Sequence, residues 1–185
     1  LMTLKTARGV NTPPQDHPPT SPAGTCGPLD DVDRCFRDPE TDLPRELLAF
    51  FSSRKLAVLA TQHGGEPYAS LVAFAATDDL KTIIFATTRS TRKYAYLSSN
   101  PAVALLIDDR TNEASDFRNA MAVTAIGNAQ EIVSSREKTY LRLYLKKHPY
   151  LQEFVSSPTC ALVKVHVKTY FTVRRFQHVL EFHIG

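Results

Sequence analysis

The chain has 185 residues, of which 43% are hydrophobic and 22% charged, enough for one packed core and ordinary for a globular domain. Its net charge of +3 is too small to imply a nucleic-acid or membrane partner, and like charges do not gather in blocks. Three cysteines, Cys26, Cys35 and Cys160, without a C-x-x-C pair, argue against a disulfide framework and suit a reducing compartment.

Residues 1–28 hold six of the twelve prolines and show no apolar periodicity. Such a segment buries too little surface to offset its ordering entropy. Residues 1–40 are therefore expected to be a disordered or loosely attached tail, and residues 41–185 the folded domain. No apolar run approaches the ~18 residues of a membrane span, and the N-terminus lacks the apolar stretch of a signal peptide. A soluble, cytoplasmic protein is expected.

A helix is predicted from Asp42 as cap, with Pro44 in its first turn, Glu46 after it, and Leu47, Leu48, Phe50 and Phe51 as its apolar face up to Arg54. Strands follow at Lys55–Gln62 and Tyr68–Ala76, joined by a turn in which Gly64 and Gly65 supply positive φ. The turn Thr77–Lys81 leads to a strand at Thr82–Thr88. Ser90–Asn100 changes to a helical period, with Ser90 as cap and Asn100-Pro101 as stop. Ala102–Asp108 is a short apolar strand, Asp109–Asn119 a polar loop, and Ala120–Val133 a long strand with a bulge or bend at Gly127. A helix opening at Ser134, with Glu137 at capping-box spacing, carries Tyr140, Leu141, Tyr144 and Leu145 as its stripe. His148-Pro149 interrupts it, and a short helical turn follows at Tyr150–Val155. Cys160–Val167 and Tyr170–Ile184 read as two final strands. The fold class is mainly β, a six- to seven-stranded antiparallel barrel with a few short helices.

The most informative stretch is Phe85–Pro101. It sets Thr87, Thr88, Ser90 and Thr91 beside Arg89, Arg92 and Lys93, where a strand ends and a helix begins. Free N–H groups at a helix N-terminus attract anions. Arg92 can grip a phosphate through two parallel hydrogen bonds, and Lys93 adds a point charge. The alternative is a solvated, charged helix start.

Several short motifs occur here in one order. T-x-x-x-T-R-K runs from Thr87 to Lys93, Asn100-Pro101 leads into Ala102–Leu106, Pro67 precedes Ser70, Val72 and Phe74 in S-x-V-x-F, and Val123–Glu131 reads VTAIGNAQE. Together, over about Leu47 to Val133, they resemble the pyridoxamine 5′-phosphate oxidase-like family. The resemblance implies an FMN-binding split β-barrel, a homodimer with FMN at its interface. Carried over by position, Arg92 and Lys93 bind the phosphate, and Thr91 and Thr87 add hydrogen bonds. Ser70, Leu71 and Val72 run along the isoalloxazine edge, largely through backbone, with Ala86 and Thr88 beside Thr87. The chain departs from true pyridoxamine phosphate oxidases in three places. Its second strand is nearly uncharged, with Ala69 and Ala73. Arg175-Phe176-Gln177-His178 does not reproduce their Arg-x-His. The chain has no Trp. A substrate other than a vitamin B6 phosphate is implied.

The expected function is thus a flavin-dependent oxidoreductase using FMN, with a small-molecule substrate or an electron donor such as NAD(P)H and no evident catalytic acid or base. The alternatives are a non-catalytic FMN binder for electron transfer or storage, and a haem or deazaflavin binder on the same fold. His166, His178 and His183 on the terminal strands could converge on a metal or haem, against a reading as ordinary strand histidines. Asp108, Asp109, Glu113 and Asp116 crowd one loop, which reads as a solvated loop rather than a cation site. Cys160 reads as a buried strand residue.

Overall fold

Alternation of inward and outward residues builds the sheet. In the computed structural model, which describes residues 4–5, 42–133, 138–174 and 178–185, β2 (Leu56–His63) turns Ala57, Leu59 and Thr61 inward. Strand β5 (Ala102–Asp108) does the same with Val103, Leu105 and Ile107, and β6 (Met121–Glu131) with Met121, Val123, Ala125 and Ala129. The predicted tail lies outside the described residues except for Leu4–Lys5, here β1, which pairs with the last strand, β8 (His178–His183). The expected capping box at 134–137 also lies outside them.

The remaining strands are β3 (Glu66–Ala76), β4 (Thr82–Thr88) and β7 (Cys160–Arg174). The order β7-β4-β3-β2-β5-β6 is antiparallel throughout, and β6 pairs back onto β7. This closes a six-stranded barrel, with β8 extending it beside β7. The predicted mainly β split barrel is the observed fold.

Three glycines do specific work. Gly64 and its neighbour Gly65 take φ of 57° and 88°, so a two-residue turn joins β2 to β3 with His63 opposite Glu66. At Gly127 the β6–β7 register shifts, the expected bulge. A Cβ there would sit 2.2 Å from the His166 carbonyl oxygen.

One predicted boundary is wrong. Cys160–Val167 and Tyr170–Ile184 are not two strands broken near Lys168, because β7 runs through that point for 15 residues. What changes there is its neighbour. Its first half pairs with β4, Cys160 opposite Thr88, and its second half with β8, Thr169 opposite His183. The other edge pairs with β6 from Val163 to Arg174.

Helix α1 (Leu43–Ser53) buries Leu43, Leu47, Phe50 and Phe51 in the barrel core. There Phe51 packs edge-on to Phe74 at 6.0 Å and against Tyr170 at 5.6 Å. Asp42 stands at the N-cap, but its side chain caps nothing. Its carbonyl accepts from Glu46 N, and its carboxylate turns to Arg45 at 3.7 Å. Helix α2 (Arg92–Ser99) is capped by Thr91, not by the predicted Ser90. Within the acidic loop lies a single turn, α3 (Asp116–Asn119).

Helix α4 (Lys138–Lys147), a 3-10 turn at Pro149–Leu151 and α5 (Gln152–Ser156) cover the outside of β3, β4 and β7. The cover explains why β4 is buried from Thr82 to Thr87 without alternation. The stripe of α4 packed in this cover is Tyr140, Leu143 and Tyr144; the expected Leu141 and Leu145, half-buried like Tyr140 and Leu143, are not part of that cluster. Below α4, His148 is fully buried. Its Nε2 donates to the Phe74 carbonyl at 2.8 Å, which leaves Nδ1 to accept from the Tyr150 hydroxyl at 3.0 Å. Burial holds its pKa below the usual histidine value. The neighbouring Lys147 Nζ donates to the Phe51 carbonyl at 2.7 Å and sits 3.8 Å from the Phe74 ring centroid. Burial pushes Lys147 down to about 8.

Two outcomes are expected. Gly127→Ala should cost about 3 kcal/mol or more in urea unfolding, because the carbonyl it meets is backbone and cannot swing away; a loss under about 1 kcal/mol would mean the bulge relaxes freely. Lys147 has a folded pKa below its unfolded one, so the unfolded state binds more protons between pH 8 and the ordinary lysine value of about 10.5. The parent should therefore gain stability relative to Lys147→Met as pH rises from 8 to 10. The gain should be on the order of 1 kcal/mol, since solvent screens a part-exposed ammonium. A pH-independent gap would refute the assignment.

Candidate functional site

Strands β3 and β4 pair at Ala76–Ile83, Ala75–Ile84 and Phe74–Phe85, and there the ladder stops. Beyond it β3 keeps its bonds to β2 as far as Glu66, and β4 keeps its bonds to β7 as far as Thr88. The two strands thus face each other across a split without bonding. Phe74 sends its N–H to the Lys55 carbonyl on the β2 side. By alternation, Leu71 and Ala73 direct their backbone groups toward the split.

A groove of about 290 Å³ occupies this split. Leu71, Val72 and Ala73 form one side, and Ala86, Thr87 and Thr88 the other. Thr91 and Lys93 stand at its end, and Tyr144, Leu151 and Phe154 from the α4–α5 cover form an outer wall. Of the nine residues singled out in the sequence, the groove brings together Leu71, Val72, Ala86, Thr87, Thr88, Thr91 and Lys93. Ser70 and Arg92 do not line it. The Ser70 Oγ is buried with no hydrogen-bond partner. Arg92 lays its guanidinium over the Tyr68 ring, 5.5 Å from the centroid.

The hydroxyls at this end are already partly committed. Thr91 Oγ1 donates to the Thr88 carbonyl at 2.8 Å and accepts from Tyr94 N at 3.4 Å. Its 3.1 Å contact with Thr87 Oγ1 then has Thr87 as donor. The donors left over are the Lys93 ammonium and the first-turn amides of Arg92 and Lys93, which have no carbonyl one turn back within α2. They make an anion-holding end.

The cations of the sequence cluster have different tasks. Arg89 Nε donates to Glu131 at 3.1 Å, and its Nη1 reaches the carbonyls of Pro158 at 2.8 Å and Cys160 at 2.7 Å. Arg89 Nη2 also pairs with Glu131, and the Tyr94 hydroxyl donates to the other carboxylate oxygen. Burial pushes the Glu131 carboxyl up, but the bonds from Tyr94 and Arg89 outweigh it and hold it below the usual range. Arg89 is thus a clamp joining the end of β4 to β6, α2 and the start of β7. Tyr144 lies wholly inside the cover, and burial, with smaller contributions from Cys160 and Tyr150, pushes its phenol up to about 12.

The other candidates resolve into structural roles. Asp116 accepts from the amides of Thr111, Asn112 and Glu113, which hold its pKa below the usual range. Asp109 accepts from Met121 N at 2.7 Å, and Asp108 pairs with Arg110 at 3.2 Å. Among the described residues no three potential ligands converge on a metal. His183 contacts Thr169 and Glu181, and the His178 side chain lies outside the described residues. Cys160 is buried, and burial raises its thiol pKa.

The sequence matches the family described as pyridoxamine 5′-phosphate oxidase over residues 43–174. The chain belongs to that family. No curated protein matches it in sequence. Among solved structures, a haem-binding protein from Mycobacterium smegmatis is similar at TM-score 0.68 and 15% identity, over 79% of this chain and 59% of that one. A haem storage protein from Vibrio cholerae is similar at TM-score 0.59 and 17% identity, over 67% and 89%. An FAD-binding protein from Mesorhizobium loti is similar at TM-score 0.54 and 16% identity, over 76% and 94%. The family fold therefore spans only about three-fifths of the mycobacterial chain, and at these identities the likeness is one of fold.

Tyr94 and Glu131 should act as a unit. In thermal unfolding, Tyr94→Phe and Glu131→Gln should each lower the midpoint, and the double variant should lose less than the two losses added. Simple additivity would show that the clamp carries no coupling.

Proposed function

We propose that this chain is an FMN-binding flavoprotein, a flavin-dependent oxidoreductase acting on a substrate other than a vitamin B6 phosphate. The observation that carries the reading is the adjacency of two unlike features. An apolar slot edged by free backbone groups runs straight into a helix N-terminus bearing Lys93. A flat ring fixed by a few polar groups needs the first, and a terminal phosphate needs the second.

The residues present fit the group. The Leu71 and Ala73 backbone can hold the polar edge of the ring system, and the buried, unpartnered Ser70 hydroxyl stands one residue away. Lys93 and the first-turn amides would hold the phosphate. Arg92 would join them by a swing off the Tyr68 ring. Bound FMN supplies hydride and single-electron transfer. The chain's own part is to bind, orient and exclude water, with Leu151 and Phe154 closing the outer wall. The uncharged surface at Ala69 and Ala73 supports a substrate without a phosphate of its own.

A homodimer with FMN at its interface belongs to this reading. Sheet faces turned to water are ordinarily polar. Here the outward cross-strand pairs are Val58 with Leu106, Ala60 with Ala104, and Ala104 with Ile126. Leu71, 64% exposed, stands at the lip of the groove itself. NAD(P)H is the proposed electron donor. A cytoplasmic setting rests on the sparse cysteines, and no helix among the described residues is long and apolar enough to cross a membrane. The second reading, a haem binder on the same fold, draws on the names of the mycobacterial and Vibrio neighbours.

The purified protein, given FMN and desalted, should retain an oxidised-flavin spectrum and oxidise NAD(P)H. Lys93→Ala and Arg92→Ala should each weaken FMN by about 1.5–3 kcal/mol, the scale of a hydrogen bond to a charged group. A colourless protein, or a Soret band on adding haem with no flavin retained, would overturn the FMN reading. Flavin retained at unchanged affinity in both variants would remove the phosphate assignment alone.

A further inference from the structure

A second groove, of about 560 Å³, is roomier than the split between β3 and β4. It opens between α1 and the C-terminal end of α4, above the last residues of β3. Its floor is apolar, made by Leu48, Phe51, Ala75, Ala76 and Leu143, and its volume is in the range of small-molecule sites. Its charged residues are unbalanced, since Arg45, Lys146 and Lys147 face one carboxylate, Asp78.

Lys147 decides what the groove suits. Its ammonium donates one hydrogen bond to the Phe51 carbonyl and rests against the face of the Phe74 ring. Both contacts favour the cation, and neither neutralises it. Among the described residues it has no carboxylate partner. A half-buried charge beside apolar surface is costly without a counter-ion. Among the described residues Arg45 is tied only by a long, exposed pair to Asp42 at 3.7 Å, so it too can turn to an incoming anion.

We propose that this groove binds a small amphipathic organic anion, an apolar monocarboxylate whose head pairs with Lys147 and whose hydrocarbon body lies on Leu48, Phe51 and Leu143. The site is separate from the proposed flavin groove and does not rest on that reading. Helix α4 stands between the two, giving Tyr144 to one and Leu143, Lys146 and Lys147 to the other.

The test is calorimetric titration of the full chain with octanoate, octylammonium and octanol, with and without FMN. Octanoate should bind saturably and octylammonium should not, and FMN should leave octanoate binding unchanged. Lys147→Met should weaken octanoate about tenfold to a hundredfold, the effect of losing one charge-assisted hydrogen bond, while sparing octanol. The exposed pair Arg45→Gln with Lys146→Gln, which leaves the core untouched, should weaken octanoate in the same direction. Equal binding of octanoate and octylammonium, no saturable octanoate binding, displacement by FMN, or parent-like affinity in both variants would each overturn the proposal.

Discussion

The pairing of β3 with β4 ends at Phe74 and Phe85, and most of what is distinctive in this molecule follows from that stop. A barrel strand with a free edge exposes unpaired backbone, a cost the fold must offset by packing or by a ligand. Here each strand keeps its other neighbour, so the seam opens without loosening the barrel. Phe74 is held from three directions. Its ring lies in the core against Phe51, its N–H donates to the Lys55 carbonyl, and its carbonyl accepts a hydrogen bond from the buried His148. The seam therefore stops at a fixed residue, and the groove beyond it has a fixed depth.

The other fixed end is the start of α2. A helix N-terminus is useful to an anion only if its amides point at the right place, and α2 is only two turns long. The Arg89–Glu131–Tyr94 clamp supplies the missing rigidity from neighbouring strands. It also explains why three cations so close in sequence are not equivalent. Arg89 is consumed by the clamp, Arg92 rests on Tyr68, and Lys93 alone lines the groove. Thr91 serves the same end, since its hydroxyl ties Thr88, Tyr94 and Thr87 together.

What the sequence shows and what it hides divide along the range of the interactions. The β2–β3 turn, the strand at Thr82–Thr88 and the bulge at Gly127 are legible because glycine φ, alternation and strand length are local. Leu71, Val72, Thr87, Thr91 and Lys93 are legible through motifs whose order mirrors the strand–helix path of the site. The continuity of β7 is hidden, because a change of neighbour at Lys168 leaves the same trace as a break. The partnership of Arg89 with Glu131 spans 42 residues and has no sequence signal. Nor has the placing of Leu151 and Phe154 against the groove, which depends on how His148 docks the chain onto Phe74. Asp42 misleads because a capping residue type does not fix the cap's φ and ψ, and here those angles are helical.

The chemistry open to the site is narrowed by Tyr144. It is the titratable side chain that the α4–α5 cover brings to the groove, and burial drives its pKa up to about 12. At neutral pH such a phenol is a fixed neutral hydroxyl and a poor general acid or base, because the best proton carriers titrate near the working pH. Of the other titratable groups nearby, Glu131 is locked between Arg89 and Tyr94, and Cys160 is a buried thiol whose pKa burial raises. Under the proposed flavin reading the reactive atoms belong to the bound cofactor, and the protein's contribution is shape and fixed dipoles. The same logic explains why the two grooves flanking α4 differ. The face bearing Tyr144 brings a neutral hydroxyl to its groove, and the other face brings two cations, Lys146 exposed and Lys147 half-buried.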